Sequence, residues 1–254
     1  MDAWEYSPAE DLDLSLVERL RRFPREPDMF VYGVRVACAA LMRLWLRLYH
    51  RLGVHGLEHL PPRGPYVIVA NHASHLDAAC IVSALRLSMV HRVFPAAAQD
   101  YFFVNLPRLA LAAVAINALP FNRELNVRQS ISLCRHLLDN EAAGNVLILF
   151  PEGSRSTNGV VGPFKPGVGL LVAGTDLPVV PCHVHGAGAA WPKGRWWPRP
   201  GRVSLHLGPP RTYAHLPRGR ANCEAIAGDL RQAVVALGAT AANADVADGQ
   251  GETA

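Results

Sequence analysis

A histidine and a carboxylate five residues apart follow the first strongly apolar run of the sequence. The block is Asn71-His72-Ala73-Ser74-His75-Leu76-Asp77, and the run before it, Tyr66–Ala70, is predicted to be a buried strand. A loop here lets Asp77 hold one imidazole nitrogen of His72, so that the other nitrogen is a base of fixed tautomer directed at a hydroxyl. The block therefore predicts general-base chemistry.

The same block permits two other interpretations. Ser74-x-x-Asp77 is a capping pattern for the following helix, which explains Ser74 better than catalysis does and explains Asp77 equally well. A metallohydrolase would need the spacing H-x-H-x-D-H, but Ala73 and Ala78 stand where histidines are required. We therefore expect no metal here. His183 and His185 alternate on a later strand, where a core or loop position is a better explanation than a ligand pair.

Charged residues also follow two other apolar runs. Phe121-Asn122-Arg123 ends a short predicted strand, where the arginine could bind a phosphate with two hydrogen bonds or simply be solvated. In Phe150-Pro151-Glu152-Gly153-Ser154-Arg155-Ser156, the proline and Gly153 predict a turn. Glu152 and Arg155 lie beside an apolar strand, so each needs a partner or a ligand if it is buried.

Short apolar strands alternate with helical segments from Tyr66 onward, which predicts an α/β sheet covered by helices. The predicted strands are Tyr66–Ala70, Ala118–Phe121, Val146–Phe150, Pro178–Val184 and Val203–Leu207. The predicted helices are Leu76–Leu87, Phe102–Val114, Glu124–Asn140, Gly167–Thr175 and Arg220–Leu237. The prolines at 178 and 181 suggest an edge or irregular strand. The first block thus lies beyond the carboxyl end of a strand, where α/β proteins commonly bind ligands.

Two helices are predicted ahead of this sheet. Ser7, Pro8 and Glu10 form a start signal for the first. The second, Met29–Tyr49, carries arginines at 35, 43 and 47 on one side and apolar residues on the other, as expected either for a helix at a lipid interface or for one docked on its own domain. Its arginines interrupt the apolar run, so we expect no membrane-spanning helix.

Composition excludes several classes of protein. Half of the 254 residues are hydrophobic and the net charge is only +4, which argues against wholesale disorder and gives no sign of nucleic-acid binding. Five scattered cysteines without a C-x-x-C pair argue against a disulfide scaffold and favour a reducing compartment. The first residues show no secretory signal. We expect residues 1–51 to form membrane-docking helices, 52–238 one domain and 239–254 a disordered tail.

Four ordered blocks together resemble the glycerolipid acyltransferase family that includes bacterial 1-acylglycerol-3-phosphate acyltransferase. Asn71 to Asp77 is similar to that family's N-H-x-x-x-x-D block, and Phe150 to Ser156 matches its F-P-E-G-x-R-S block throughout. Phe121-Asn122-Arg123 is one residue shorter than the common F-[IV]-x-R form. In Val179-Val180-Pro181-Cys182 a cysteine replaces the usual aliphatic residue.

The resemblance implies a fold, an activity and roles for residues. The fold would be a central mixed sheet covered by helices, with an amphipathic helix pair at the N-terminus. His72 would deprotonate the hydroxyl of lysophosphatidic acid and Asp77 would orient His72, so that the acyl group moves directly from an acyl-CoA or acyl-carrier-protein thioester. Arg123 and Arg155 would hold the acceptor's phosphate, while Glu152, Gly153 and Ser74 would shape its site.

Further expectations concern partners and alternatives. The activity implied needs no cofactor and no metal, and its partners are the lyso-lipid, the acyl thioester (with acyl carrier protein as one possible donor) and a membrane surface, not nucleic acid. We expect a peripheral location on the cytoplasmic face of the membrane. Two alternatives are the same chemistry on glycerol 3-phosphate, a lyso-ornithine lipid or another lyso-lipid, and a non-catalytic peripheral lipid-binding protein.

Overall fold

A computed structural model describes residues 29–98, 117, 119–121, 127–140, 143–192 and 194–251. Its strands are β1 (Gly53–His55), β2 (Tyr66–Ala70), β3 (Val93–Ala98), β4 (Leu119–Phe121), β5 (Val146–Leu149), β6 (Val179–His185) and β7 (Ser204–Leu207). Its α-helices are α1 (Met29–Tyr49), α2 (Leu76–Ala84), α3 (Val127–Asp139), α4 (Gly167–Val172), α5 (Ala187–Ala190) and α6 (Arg220–Gly251). The helices predicted near Ser7 and at Phe102–Val114 lie outside the described residues, as does Arg123.

The strands of the described chain form one sheet in the order β1-β7-β6-β2-β5-β3-β4. Neighbouring strands are parallel except β6 and β7, which are antiparallel. The predicted α/β class with a mixed central sheet is therefore confirmed. Strands β2 and β5 are adjacent, with Val69 opposite Leu149. The loops after these two strands consequently leave the same edge of the sheet.

Side chains that alternate along the central strands build a core on each face of the sheet. Val67 and Val69 of β2 pack with Leu147 against a layer that includes residues of α3, α4 and α6. Tyr66 and Ile68 point the other way, into a core that α1 and α2 cover. All five side chains of β2 are buried, which explains why its sequence is an unbroken apolar run rather than an alternating one.

Helix α1 contacts the domain through the side that carries its arginines. Arg35 is buried, and this burial lowers the pKa of its guanidinium to about 10. Arg43 donates a hydrogen bond from Nη2 to the carbonyl of Leu85, just after α2. Leu46 is also buried on this side, whereas Leu48 is exposed. Of the two arrangements that the sequence allows, the structure shows a helix docked on its domain, with its apolar side left outward.

Three expectations differ from the structure. Helix α1 is, by length and by a mean hydropathy of 1.5, apolar enough to cross a membrane, because its arginines are too few to outweigh its aliphatic residues. Strand β6 is an interior strand despite its prolines, since their carbonyls still accept: Val67 donates to Pro178 and Gly208 to Pro181. Helix α6 continues past Leu237 to Gly251, through an alanine-rich stretch of high helix propensity, where the sequence predicts disorder.

Candidate functional site

The loop that follows β2 is fastened to the neighbouring strand β6 by Asn71. The buried side-chain amide of Asn71 donates from Nδ2 to the carbonyl oxygen of Val184 at 3.1 Å, and its Oδ1 accepts the Val184 N–H at 2.8 Å. This two-point bond replaces the backbone ladder at the position where β2 ends. The sequence shows Asn71 in the block but gives no sign of this structural role, because the partner lies more than a hundred residues away along the chain.

His72 and Asp77 meet as the sequence predicts. Nδ1 of His72 lies 2.8 Å from Oδ2 of Asp77, whose side chain is fully buried, whereas the His72 side chain is 16% exposed. The same carboxylate oxygen accepts the backbone N–H groups of Ala73 at 2.7 Å and Ser74 at 2.8 Å. An anionic oxygen with these three neighbours favours the tautomer with a proton on Nδ1. Nε2 is then left as the nitrogen that can accept a proton.

The side chain of Ser74 makes two hydrogen bonds within the protein. Its hydroxyl accepts the N–H of Leu76 at 3.2 Å, at the start of α2, and donates to the carbonyl of Trp191 at 2.9 Å. Since Ser74 has no exposed surface, it has no route to a substrate in this conformation. The capping interpretation of Ser74 therefore fits the structure better than the binding role that the resemblance implies.

The turn after β5 holds His72 from a second direction. The ring of Phe150 stacks on the imidazole of His72, with ring centroids 4.3 Å apart and an angle of 23° between planes. Oε1 of Glu152 accepts the His72 backbone N–H at 2.7 Å, and Oε2 accepts the Gly162 N–H at 2.9 Å. The carbonyl of His72 accepts the N–H of Ser156 at 2.7 Å. Both carboxylate oxygens of Glu152 are thus committed to the backbone, so Glu152 positions the loop.

Positive charge lies beside this pair. Arg155 is half-buried, and its Nη1 is buried without a hydrogen-bond partner among the described residues. Burial, together with the charge of Arg155 and the proximity of His72, lowers the pKa of His75 to about 4. His75 is therefore neutral at physiological pH, and Arg155 is the fixed cation of this part of the site. A buried guanidinium nitrogen without a partner is costly unless an anion binds it.

An apolar cavity opens next to the stacked Phe150. Its volume is about 320 Å³, and its wall contains Phe150, Leu149, Cys134 and Leu171, with Lys165 at one side. Gly153 adopts a positive φ of 76°, a conformation that favours glycine at this turn. The sequence does not predict this cavity, because its walls come from β5, α3 and α4.

Two other groups of polar residues do not join the site. His183 is buried under α6, where its Nδ1 lies 3.1 Å from the Val234 carbonyl, and burial together with its neighbour His185 lowers its pKa to about 4. A core position for His183 fits this contact. Arg211 and Asp229 form an ion pair beside an open depression on the α6 side, and they satisfy each other. In the described ranges no three His, Cys, Asp or Glu residues converge as metal ligands.

Comparisons with known proteins find related sequences over much of this chain. The profile of a family described as Acyltransferase matches residues 51–185. The chloroplastic 1-acyl-sn-glycerol-3-phosphate acyltransferase of Brassica napus is 30% identical over 159 residues, which are 61% of this chain and 44% of that protein. The alpha 1-acyl-sn-glycerol-3-phosphate acyltransferase of Mus musculus is 29% identical over 191 residues, which are 72% of this chain and 65% of that protein. The chain thus spans about half to two thirds of these relatives.

A solved structure shares the fold. The 1-acyl-sn-glycerophosphate acyltransferase of Thermotoga maritima superposes with a TM-score of 0.61 at 24% sequence identity, over 83% of this chain and 80% of that one. The matched region of the family profile contains both the His72 loop and the turn at Glu152. The paired histidine and carboxylate, the neighbouring arginine and the residues that line the apolar cavity all lie inside this matched region.

Proposed function

Because the chain belongs to the acyltransferase family, we propose that it moves a fatty acyl group from a thioester to the hydroxyl of lysophosphatidic acid, giving phosphatidic acid. The observation that carries this proposal is the 2.8 Å pair of His72 and Asp77 beside Arg155, whose Nη1 has no hydrogen-bond partner among the described residues. This acceptor requires a base directed at its hydroxyl and a cation that binds its phosphate. Two relatives that carry the name 1-acyl-sn-glycerol-3-phosphate acyltransferase support the choice of acceptor.

The proposed reaction uses His72 twice. Nε2 takes the proton of the acceptor hydroxyl as its oxygen attacks the thioester carbonyl, and Asp77 stabilises the imidazolium that forms. When the tetrahedral intermediate collapses, the carbon–sulfur bond breaks and the thiolate leaves with the proton that His72 holds. One ester and one free thiol are the products. No cofactor and no metal are needed, because positioning, one base and the polarity of the site suffice.

Direct transfer, without an acyl-enzyme, fits the state of the cysteines. All five cysteines are free, and Cys80, Cys134, Cys182 and Cys223 are buried. Burial raises the pKa of Cys134 to about 12 and that of Cys182 well above its usual range, so neither is a thiolate at neutral pH. A thiol in this state is a poor nucleophile.

The remaining site residues receive different parts in the proposal. Arg155 binds the acceptor phosphate, and Arg123 is its proposed second contact, from outside the described residues. Glu152, Gly153 and Ser74 act through the backbone and the turn and do not touch the acceptor directly. The 320 Å³ apolar cavity beside Phe150 accommodates part of an acyl chain, since its lining offers little that is polar.

The proposed location is the cytoplasmic face of a membrane, with the protein attached peripherally. The outward apolar side of α1 and its flanking arginines support attachment to lipid. A lipid-soluble acceptor and a water-soluble thioester would then meet at the site.

The first experiment measures thiol release from palmitoyl-CoA, and in parallel from palmitoyl-acyl carrier protein, with and without lysophosphatidate. We expect acceptor-dependent release by the unmodified protein and a loss of about 10²–10⁴-fold in His72→Ala. Release that is unchanged in His72→Ala would overturn the mechanism. No acceptor-dependent release from either donor, in folded protein that still binds vesicles, would favour the non-catalytic lipid-binding alternative.

A panel of acceptors tests the substrate. Lysophosphatidate, glycerol 3-phosphate and lysophosphatidylcholine differ in the charge and exposure of their phosphate, and a lyso-ornithine lipid has no phosphate. We expect the highest kcat/KM with lysophosphatidate, and a rise in its KM in Arg155→Gln. The shortened block at Arg123 is the feature that favours another acceptor, so a preference for lyso-ornithine lipid, which has no phosphate, would overturn the assignment while leaving the reaction class intact.

A further inference from the structure

The outward side of α1 is a continuous apolar stripe. At 100° per residue, the positions that project from this side fall within about a third of the helix circumference. Their side chains are well exposed: Phe30, Leu41, Leu44 and Leu48, with Leu48 at 74%. A helix of a water-soluble domain ordinarily turns such a stripe toward its core, but the core side of α1 is occupied by Arg35 and Leu46. An exposed apolar surface of this extent indicates an interaction site.

A second apolar feature lies in the loop between α5 and β7. Trp196 is 89% exposed and the adjacent Trp197 is 64% exposed, with ring centroids 6.3 Å apart. Tryptophan is a large, mostly apolar side chain, so two neighbours left in water are costly. The next residue, Pro198, is buried, so the loop is anchored at its base while its two indoles project. Tryptophan is enriched where a protein meets the lipid headgroup region.

The tryptophan loop is attached to the end of α1. The hydroxyl of Tyr49, the last residue of the helix, donates to the carbonyl of Pro198 at 3.3 Å. The N–H of Val203 donates to the carbonyl of His50 at 3.0 Å. The loop and the helix are therefore parts of one surface on the same side of the sheet.

The other end of this loop touches the proposed active site. Trp191 accepts the Ser74 hydroxyl at its carbonyl oxygen, and its ring lies 5.4 Å from that of His75. Nε1 of Trp191 donates to the carbonyl of Arg195 at 2.8 Å, beside the exposed pair. The segment that carries the exposed tryptophans thus contacts both the end of α1 and the loop that carries His72.

Both segments are free of acidic residues. No aspartate or glutamate occurs between Asp28 and Glu58, or between Asp176 and Glu224. Exposed arginines flank the tryptophans at 195 and 199 and the end of α1 at 47 and 51. A surface that joins apolar side chains to positive charge, with no negative charge in either segment, complements an anionic bilayer.

We propose that the loop around Trp196 and Trp197 inserts into the headgroup region of an anionic lipid bilayer, as a second contact beside the apolar stripe of α1. Two contacts fix the tilt of the domain as well as its attachment. The loop's contact with the His75 region then holds the site at the lipid surface. This inference concerns only the binding of the protein to lipid, so it can be tested without measuring acyl transfer.

Vesicle flotation of the full chain tests the proposal. The probes are vesicles of phosphatidylcholine with one third phosphatidylglycerol, and vesicles of phosphatidylcholine alone. We expect the double variant Trp196→Ser, Trp197→Ser to lower partitioning onto the anionic vesicles about tenfold or more. Val235→Ser, which removes an exposed apolar side chain from α6 on the opposite face of the sheet, is the matched control and should partition normally. Equal partitioning of both variants would overturn the proposal.

A fluorescence measurement covers the case in which the serine variant fails to fold. In Trp196→Phe, Trp197→Phe the apolar bulk remains but the two indoles are lost. Brominated phosphatidylcholine in the anionic vesicles should quench the emission of the unmodified protein. A smaller share of the emission should be quenched in the phenylalanine variant, because the tryptophans that remain include Trp45 on α1 but not the two of the loop. Equal quenching in both proteins would overturn insertion of the loop. A blue shift of the emission with rising protein concentration and no lipid would also overturn it, because the surface would then be a contact between copies.

Charge is tested separately with Arg195→Gln, Arg199→Gln. Binding to the anionic vesicles should weaken, and 0.5 M salt should weaken it in the unmodified protein, while binding to neutral vesicles should change little. Equal binding of the unmodified protein to both kinds of vesicle would contradict the assignment of an anionic partner.

Discussion

A single carboxylate oxygen of Asp77 holds His72, the proposed general base, in position. Oδ2 of Asp77 lies within 2.8 Å of Nδ1 of His72 and of the backbone nitrogens of Ala73 and Ser74. The catalytic and structural interpretations of Asp77 are therefore not exclusive, since one oxygen serves the imidazole and the loop together. Its Oδ1 is buried without a hydrogen-bond partner among the described residues, so Oδ2 makes the contacts of this side chain.

The substitution Asp77→Asn tests whether Asp77 both stabilises the imidazolium of His72 and holds the loop. The asparagine oxygen can still accept one or two of the N–H groups, but it carries no charge to stabilise the imidazolium. We expect kcat to fall about 10²–10⁴-fold, with a smaller change in the KM of the acceptor, because the lost interaction is largest in the transition state. Steady-state kinetics and a thermal melt of the same sample measure both effects. A change confined to the melting temperature would show that Asp77 only holds the loop.

Glu152→Gln distinguishes a positioning residue from a binding residue. Glutamine has one acceptor oxygen, so either the His72 N–H or the Gly162 N–H would face an amide donor instead of an oxygen. We expect stability to fall by about 1–3 kcal/mol and kcat to fall, while the KM of the acceptor changes little. Urea unfolding and acceptor kinetics are the measurements. A raised acceptor KM at unchanged stability would show instead that Glu152 binds the acceptor.

At the scale of elements, helices α4 and α6 pack closely against each other at a glycine of α4. A Cβ added at Gly169 of α4 would lie 2.5 Å from both the Cα and the carbonyl oxygen of Cys223 in α6. These are backbone atoms, so they cannot turn aside as a side chain would. The contact joins the two helices over the core that also contains Val168 and Leu171.

Gly169→Ala is accordingly expected to destabilise the protein by about 1–3 kcal/mol, because α4 and α6 must move apart. Gly167, in the same helix, has no atom within 4 Å of an added Cβ, and Gly167→Ala is the matched control. We expect that control to be neutral or up to about 1 kcal/mol more stable, since alanine favours the helix. Denaturant unfolding of both variants decides the point. Equal losses would mean that flexibility of the glycine, not the close approach, is what matters.

Elements with an unbroken pattern were predictable and those defined by distant partners were not. Tyr66–Ala70 is entirely apolar, so the sequence predicts β2 with its observed bounds. Strand β1 (Gly53–His55) and strand β3 (Val93–Ala98) do not emerge from the pattern, because one has three residues and the other includes a proline. Their places in the sheet depend on pairing with β7 and with β5. Local propensity contains no information about such partners.

In the candidate site, too, contacts between residues close in sequence were predictable and contacts with distant residues were not. His72 and Asp77 are five residues apart, so a single loop brings them together and the sequence predicts the contact. Glu152 and Phe150 reach His72 only because β2 and β5 are neighbours in register. The side of α1 that docks was also unpredictable, because its arginines can equally face lipid headgroups or a protein carbonyl such as that of Leu85.

At the scale of the whole molecule, a buried histidine links stability to pH. His183 packs so closely under α6 that a Cβ at Gly238 would lie 2.5 Å from its ring. Burial lowers the pKa of His183 to about 4 in the folded protein, and the nearby His185 and His206 lower it as well. The hydrogen bond with the Val234 carbonyl raises this pKa, but only enough to offset part of the decrease. In the unfolded chain its pKa is about 6.5. Between these values the unfolded chain binds a proton that the folded protein excludes, so stability is lost as pH falls through this window.

The expected result is a free energy of unfolding that decreases from pH 7 toward pH 4, with His183 contributing at most about 1.4 kcal/mol per pH unit. His183→Asn keeps a donor for the Val234 carbonyl but cannot titrate. The variant should be less stable at pH 7 because it leaves a cavity, yet its stability should fall less steeply with acid. Urea unfolding at pH 7, 6 and 5 measures both slopes, and His215→Asn, at an exposed histidine, is the control. Parallel curves for the unmodified protein and His183→Asn would mean that His183 takes up its proton without unfolding, and that the acid sensitivity has another origin.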